Sequence, residues 1–268
     1  MRYGFVLPGG SALEQLELAV LADRSGWDGV FVWEGGYAID AWSLLSAMAV
    51  RTEHVRLGTM LTPLPWRRPW KLAGQVATLD QLSAGRAILA VGLGAVDTGL
   101  GSYGEVTDRR TRAQLLDEGI DLLDGLWSGA RTFDGTHHHL DLSDAVVEGP
   151  TLVQRPRVPI WVVGAKDRAA SMQRVARCDG ILPTTIGDGG ARQSTPEELA
   201  DVIQWLDDHG GRRPGFDVVV EGETEPGDAS AVQPYAEAGA TWWLETRWAE
   251  STPASLRARI EAGPARVT

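Results

Sequence analysis

The sequence is short of cysteine, of lysine and of long apolar runs, and each shortage narrows what the chain can be. Cys178 is its one cysteine, which excludes an internal disulfide framework and cysteine-built zinc or iron–sulfur centres. No apolar stretch approaches the roughly 20 residues that a membrane-crossing helix needs. The opening run MRYGFVLPGG lacks the apolar core and small-residue cleavage site of a secretory leader, so a cytoplasmic location is expected. Positive charge is also in deficit: 25 Lys and Arg stand against 36 Asp and Glu, for a net charge of −11. That balance argues against nucleic acid and anionic membrane surfaces as partners. Lysine occurs only as Lys71 and Lys166, and the arginine preference is most simply a coding bias.

What is present suits a soluble globular fold with a sizeable core: 268 residues, 43% hydrophobic, 32 Gly and 11 Trp. Short apolar, β-branched runs alternate with longer helical patterns throughout. Strands are expected at 2–7, 29–33, 55–60, 86–91, 159–163, 180–183, 216–221 and 241–245. Their near-continuous hydrophobicity fits strands covered on both faces, as in a parallel sheet. Helices are expected at 12–25, with Ser11 as N-cap, and at 70–82, with Pro69 as the first helical residue. Others are expected at 108–127, 167–177, 229–238 and 253–262, and at 196–208, where Thr195 and Glu198 form a capping box. Eight strand-then-helix units in this length predict a (β/α)₈ TIM barrel in a single domain, 1–268. A doubly wound sheet shares the alternation, but Pro8-Gly9-Gly10 lacks the spaced glycines of a dinucleotide fold. Residues 128–157 interrupt the rhythm as an excursion between the fourth helix and the fifth strand.

In such a barrel the chemistry belongs at the C-terminal strand ends. Glycines recur there, as they do in βα loops generally. The fifth tip, Gly164-Ala165-Lys166, leads into a helix and offers backbone N–H groups and a cation to an anion; the equal alternative is a solvated lysine in a first helical turn.

The third and fourth units carry a family pattern. Residues 55–59 read VRLGT, Arg68-Pro69 follows, and residues 78–94 read TLDQLSAGRAILAVGLG. With Arg112, Glu118, Gly135, PIWVVG at 159–164 and Asp179-Gly180, this resembles the bacterial luciferase-like flavin monooxygenase superfamily over most of residues 1–185. The resemblance implies a TIM barrel with an excursion before the fifth strand. It also implies FMN or the 5-deazaflavin coenzyme (F-420) bound at the strand ends, with a slight lean to the deazaflavin. Thr59 and Met60 would pass beside the isoalloxazine, often through a non-proline cis peptide. Gly92, Leu93 and Gly94 would lie near the ribityl chain. Gly164, Ala165 and Lys166 would hold the phosphate, and Thr184 would join the cofactor site. Asp80 and Arg86 belong to the opposite, stabilising face. The expected activity is monooxygenation with reduced FMN, or hydride transfer with the deazaflavin, on a small organic substrate, and a homodimer is a family-level expectation.

Departures matter too. Deazaflavin-using members often carry Asp-His after the second strand, where this chain reads Trp33-Glu34-Gly35-Gly36. Glu34 could serve as the base, or could be an exposed or salt-bridged loop residue. Trp33, Trp66 and Trp248 could wall a substrate pocket. His137-His138-His139 comes without a further ligand cluster, so no metal is expected. Glu221, Glu223, Glu245 and Arg247 could ring the late side of the mouth, which also raises a glycosidase reading. A barrel that binds a flavin or another small molecule without catalysis would share these features, as would a lyase or isomerase using Lys166.

Overall fold

Parallel pairing runs through eight strands and returns to the first in the computed structural model, which describes residues 1–95, 99–146, 148–187, 190–249 and 252–267. In chain order the first half holds β1 (Arg2–Leu7), α1 (Ala12–Arg24), β2 (Gly29–Val32), α2 (Ala41–Ala49), β3 (Arg56–Thr59), β4 (Thr62–Pro63), α3 (Pro69–Leu82), β5 (Ala87–Gly92) and α4 (Arg109–Trp127). The excursion follows with β6 (Thr132–Asp134) and β7 (His139–Asp141). The second half holds β8 (Ile160–Gly164), α5 (Ala169–Val175), β9 (Gly180–Gly187), β10 (Gly190–Gln193), α6 (Pro196–Asp208), β11 (Asp217–Gly222), α7 (Gln233–Glu237), β12 (Trp242–Glu245) and α8 (Pro253–Glu261). The closed ring is β1, β2, β3, β5, β8, β9, β11, β12, sealed by pairing of β12 with β1.

Alternation along each strand separates two cores. Phe5, Val30, Leu57 and Val218 meet the helices, while Val6, Phe31, Ile88, Leu182 and Val219 fill the barrel. At the N-terminal end of the barrel, Trp161 packs against Phe31 and Trp242, with ring centroids 5.3 Å from each. Both indole N–H groups donate to Asp217, each at 3.1 Å, and Arg2 joins at 2.7 Å. Burial raises the Asp217 pKa, against the opposing pull of Arg2 and the two indoles. This end is therefore plugged, and the free end is the one where the βα loops gather.

Local signals start the helices. Ser11 and Glu14 cap α1 reciprocally, Thr195 and Glu198 do the same for α6, and Pro69 opens α3. Asp80 accepts N–H bonds from Val153 at 2.6 Å and Gln154 at 3.1 Å, tying the excursion's return to α3. Arg86 donates to carbonyls of Ala49, Thr52, Val55 and Ser83. Both act as structural ties at the face away from the loops.

Three expectations need correction. The strand expected at 180–183 continues to Gly187, because Thr184–Gly187 pairs antiparallel with β10. The helix expected at 167–177 is only α5, and the turn Arg168 N–H to Ala165 O precedes it; Lys166 therefore sits in a turn, not in a helical first turn. The helix expected at 229–238 shrinks to α7, since Val232 closes a turn onto Ala229 first.

The excursion's hairpin is held by one carboxylate. Glu118 accepts from the backbone N–H of Thr136 at 2.8 Å, His137 at 2.9 Å and His138 at 3.0 Å. A Cβ on Gly135 would lie 2.6 Å from Glu118 Oε2, so the turn needs glycine. Burial pushes the Glu118 pKa up, but the three backbone donors outweigh it and the net value lies below the ordinary glutamate range. A lowered pKa contributes stability that is present above the unfolded value near ~4.3 and fades as pH falls through the folded value. Glu118→Gln is expected to lower stability by about 2 kcal/mol at neutral pH, measured by urea unfolding, with faster amide exchange in residues 132–141. The deficit should shrink below about pH 4; a deficit constant with pH would contradict the assignment.

Candidate functional site

At the open end, the tips after β2 and β3 are clamped by Glu34. The residue is 9% exposed, and each of its oxygens has two donors. Arg67 reaches Oε1 with Nε at 2.6 Å and with Nη2. Oε2 accepts from Thr62 Oγ1 at 2.6 Å and from Trp42 Nε1 at 3.2 Å. Thr62 and Thr59 share a hydroxyl hydrogen bond of 2.8 Å across the tip. The Met60–Leu61 peptide between them is cis, one bond beyond the position singled out in the sequence. Glu34 is thus salt-bridged, with all four acceptor positions in use, and not a free base. Trp42, buried on α2, belongs to this clamp.

The cofactor-site candidates divide by the direction each faces. Met60 is buried in the barrel-interior cluster, with Leu61 and Val163 packed beside it. Thr59 is fully buried and faces its neighbours through its hydroxyl. A Cβ on Gly92 would lie 3.0 Å from Leu61, so the bare β5 end meets the β3 tip directly. Gly94, at φ +79, lies under Trp66, whose indole would be 2.1 Å from a Cβ there. Leu93 and Gly94 offer their carbonyls to Arg112 Nη1 at 3.0 and 2.7 Å. Arg112 is buried, and its Nε has no partner among the described residues.

On the far side of the mouth, Gly164 faces outward, where a Cβ would meet Ile181 at 2.5 Å. Its role is close packing of the strand. The Ala165 N–H is bound by Ser171 Oγ at 3.1 Å. Lys166 Nζ pairs with Asp201 at 2.7 Å in a part-exposed bridge, and Lys166 and Thr184 line one cleft with Thr185 and three carboxylates, Asp167, Glu198 and Asp201. Arg192 and the Thr195 N–H hold the Glu198 carboxyl at about 2, so that acid is fully ionised.

Trp33 and Trp248 are 39% and 48% exposed at the ends of β2 and β12. With Trp66 they lie on the loop side of the barrel, and no ring contact joins any two of the three among the described residues. The late carboxylates separate. Glu245 faces outward, fully buried, and takes donors from Arg259, Thr224 and Trp243. Glu223 is exposed. Arg247 spends its charge on Glu223, Glu225 and Glu245. Glu221 faces the interior. Burial pushes the Cys178 thiol up to about 12, which leaves it an inert packing group. His137 and His139 bond Gln114 and Asp134 on the excursion, and no group of three metal-binding side chains gathers among the described residues.

Arg67 and Thr62 were missed by sequence reasoning. The signal available was a lone acid at the second tip facing the cation-bearing run Trp66-Arg67-Arg68 at the third. Glu34→Ala would leave Arg67 without its partner in a largely buried position and is expected to destabilise the fold by about 3 kcal/mol. Chemical denaturation checks it; a loss under about 0.5 kcal/mol, the range of an ordinary surface change, would contradict the clamp.

Comparison with known proteins places this geometry. Residues 3–261 match the family described as luciferase-like monooxygenase. A relative in Microbacterium testaceum, F420-dependent glucose-6-phosphate dehydrogenase, is 34% identical over 184 residues, covering 64% of this chain and 52% of its own. The oxygenase component of a flavin-dependent trigonelline monooxygenase from Acinetobacter baylyi is 28% identical over 183 residues, covering 65% and 49%. The chain spans about half the length of these curated relatives. The structure of monooxygenase RslO1 from Streptomyces bottropensis superposes with a TM-score of 0.69 at 27% identity, covering 89% of this chain and 77% of that one. No helix among the described residues is long and apolar enough to cross a membrane. The match over residues 3–261 and the closed barrel agree, and the chain belongs to the luciferase-like monooxygenase family.

Proposed function

We propose that residues 1–268 act as one domain that binds a flavin-type cofactor at the barrel's open end and oxidises or reduces a small organic molecule. The observation that carries this reading is the bare backbone of Gly92 and Gly94 beside the Met60–Leu61 tip. Leu61 and Val163 pack against Gly92, and Trp66 packs against Gly94, so the β3 and β5 tips meet closely and form one wall of the open end. Relatives named for F420 and for flavin dependence support the cofactor class, with a lean to the deazaflavin. A cytoplasmic location and a homodimeric assembly belong to the same reading, carried by the family resemblance.

The residues present fit such a group. Met60, Leu61 and Val163 give an apolar floor that excludes water beneath a planar ring. Arg112, whose Nε has no partner among the described residues, brings a buried cation under the Gly94 carbonyl, on the side where an anionic cofactor would be favoured. Lys166 can exchange its exposed pairing with Asp201 for a phosphate oxygen, since surface ion pairs are weak. Thr184 offers a hydroxyl in the same cleft. Glu34 contributes by fixing the third tip and not by moving a proton. When bound, a reduced deazaflavin supplies a hydride, whereas a reduced FMN supplies a ring that activates oxygen.

Absorbance and fluorescence titrations with FMN and with the 5-deazaflavin coenzyme test this directly. Saturable binding of at least one is expected, and Lys166→Ala should weaken it about tenfold, the equivalent of ~1.4 kcal/mol. Absence of saturation with both would overturn the reading.

A further inference from the structure

The inward face of the barrel carries one carboxylate that the clamp and the plug do not use. On β11, Asp217 and Val219 point inward, as their contacts with Trp161, Trp242 and the interior cluster show. Glu221 is two residues further along, on the same face by strand alternation. Its register partner on β12 is Leu244, itself an interior residue. Glu221 therefore stands at the open end of the barrel, above the apolar interior.

No donor reaches it among the described residues. The other acids near the mouth are committed: Glu34 to Arg67, Thr62 and Trp42, and Glu245 to Arg259, Thr224 and Trp243. The elements packed beside β11 bring nothing charged to Glu221. From β12, Leu244 faces it, Glu245 turns outward, and Arg247 is held by Glu223, Glu225 and Glu245. From β9 the inward residues are Leu182 and, in register with Glu221, the uncharged Thr184, while the hydroxyl of Thr185 is bound to Glu198. Asp217 on the same strand is at the opposite end, paired with Arg2. Burial is accordingly the one influence on the Glu221 proton, and it raises the pKa.

A part-buried carboxyl with neither donor nor cation nearby is suited to a neutral polar partner. A charged substrate group would lack a counter-ion there, whereas an alcohol O–H can donate to the carboxylate and a carbonyl oxygen can accept from the protonated carboxyl. We propose that Glu221 exchanges a proton with the reacting oxygen of the substrate, an uncharged alcohol, aldehyde or ketone; the assignment rests on the oxidoreductase reading above. In the direction of reduction, the substrate carbon takes a hydride from the reduced deazaflavin, and the C=O π bond breaks. The oxygen takes the Glu221 proton, so that one C–H and one O–H bond form. The cofactor would lose two electrons as that hydride and would release its ring N–H proton to solvent, and the Glu221 carboxylate regains a proton from water. Alcohol oxidation runs the same steps backward.

Three full-length proteins test it: Glu221→Gln, Glu221→Ala and wild type. In the cofactor-free protein, the infrared difference between wild type and E221Q should keep a protonated-carboxyl band to pH values above the ordinary glutamate range near ~4.3. Fluorescence titration should give cofactor affinities of wild type and E221Q within about twofold of one another, because glutamine keeps the shape and hydrogen-bonding capacity of the site. With cyclohexanol and cyclohexanone as probes, both variants should lose about 100-fold in kcat. The pH dependence set by this group should vanish, and added acetate should restore part of the E221A rate. A carboxyl titrating at the ordinary value, or an E221Q turnover and pH profile like wild type, overturns the assignment while leaving the cofactor reading intact. Failure of all three proteins to bind either cofactor overturns that reading and this one with it. Cofactor binding without turnover of any alcohol or carbonyl compound overturns the substrate class.

Discussion

The open end of this barrel depends on one buried ion pair. Glu34 leaves the second strand with no side-chain freedom, because Arg67, Thr62 and Trp42 occupy both oxygens. Through Thr62 and Thr59 the same carboxylate fixes the third tip, and through Arg67 it fixes the turn that leads into α3. A charge buried this way is tolerated only with full compensation, so the surrounding loops have a single satisfactory arrangement. The opposite end is governed in a similar manner by Asp217 beneath two indoles and Arg2. Between them lies an apolar interior, closed below and open above. That polarity places the chemistry at the loop end before any cofactor is considered.

Much of the architecture could be read from residue order because the signals were local. Eight apolar runs gave the barrel, and Ser11, Pro69 and the Thr195–Glu198 pair each marked the start of a helix that the structure contains. The hairpin in the excursion pairs β6 with β7 across Asp134-Gly135, a local turn signal of the same kind. The extension of β9 was not, since it exists only through pairing with β10, a partner chosen by tertiary contact. Asp80 and Arg86 were assigned to the stabilising face correctly because their motif sits between a helix end and a strand start, where a barrel has no active site.

The site itself was harder. Strands buried on both faces carry almost no alternation, so sequence alone could not say that Glu221 faces in while Glu245 faces out. One position of phase decides between a carboxyl open to substrate and one locked by Arg259. The clamp was hidden for another reason: Glu34 and Arg67 are 33 residues apart, and only the fold brings them together. The family resemblance supplied the third tip and the Gly92–Gly94 strip. It did not supply the base, because the residues that usually follow the second strand are absent here, and the acid found in their place is a structural one.

The central claim is that the tips of β3, β5 and β8 together form the cofactor site. Hydrogen–deuterium exchange, with and without saturating FMN or 5-deazaflavin coenzyme, tests that most directly. The account predicts slower exchange confined to residues 59–62, 92–95 and 164–167, with the hairpin at 132–141 and the Asp217 plug unchanged. Protection at the hairpin or the plug, with these three tips exchanging as before, would contradict it.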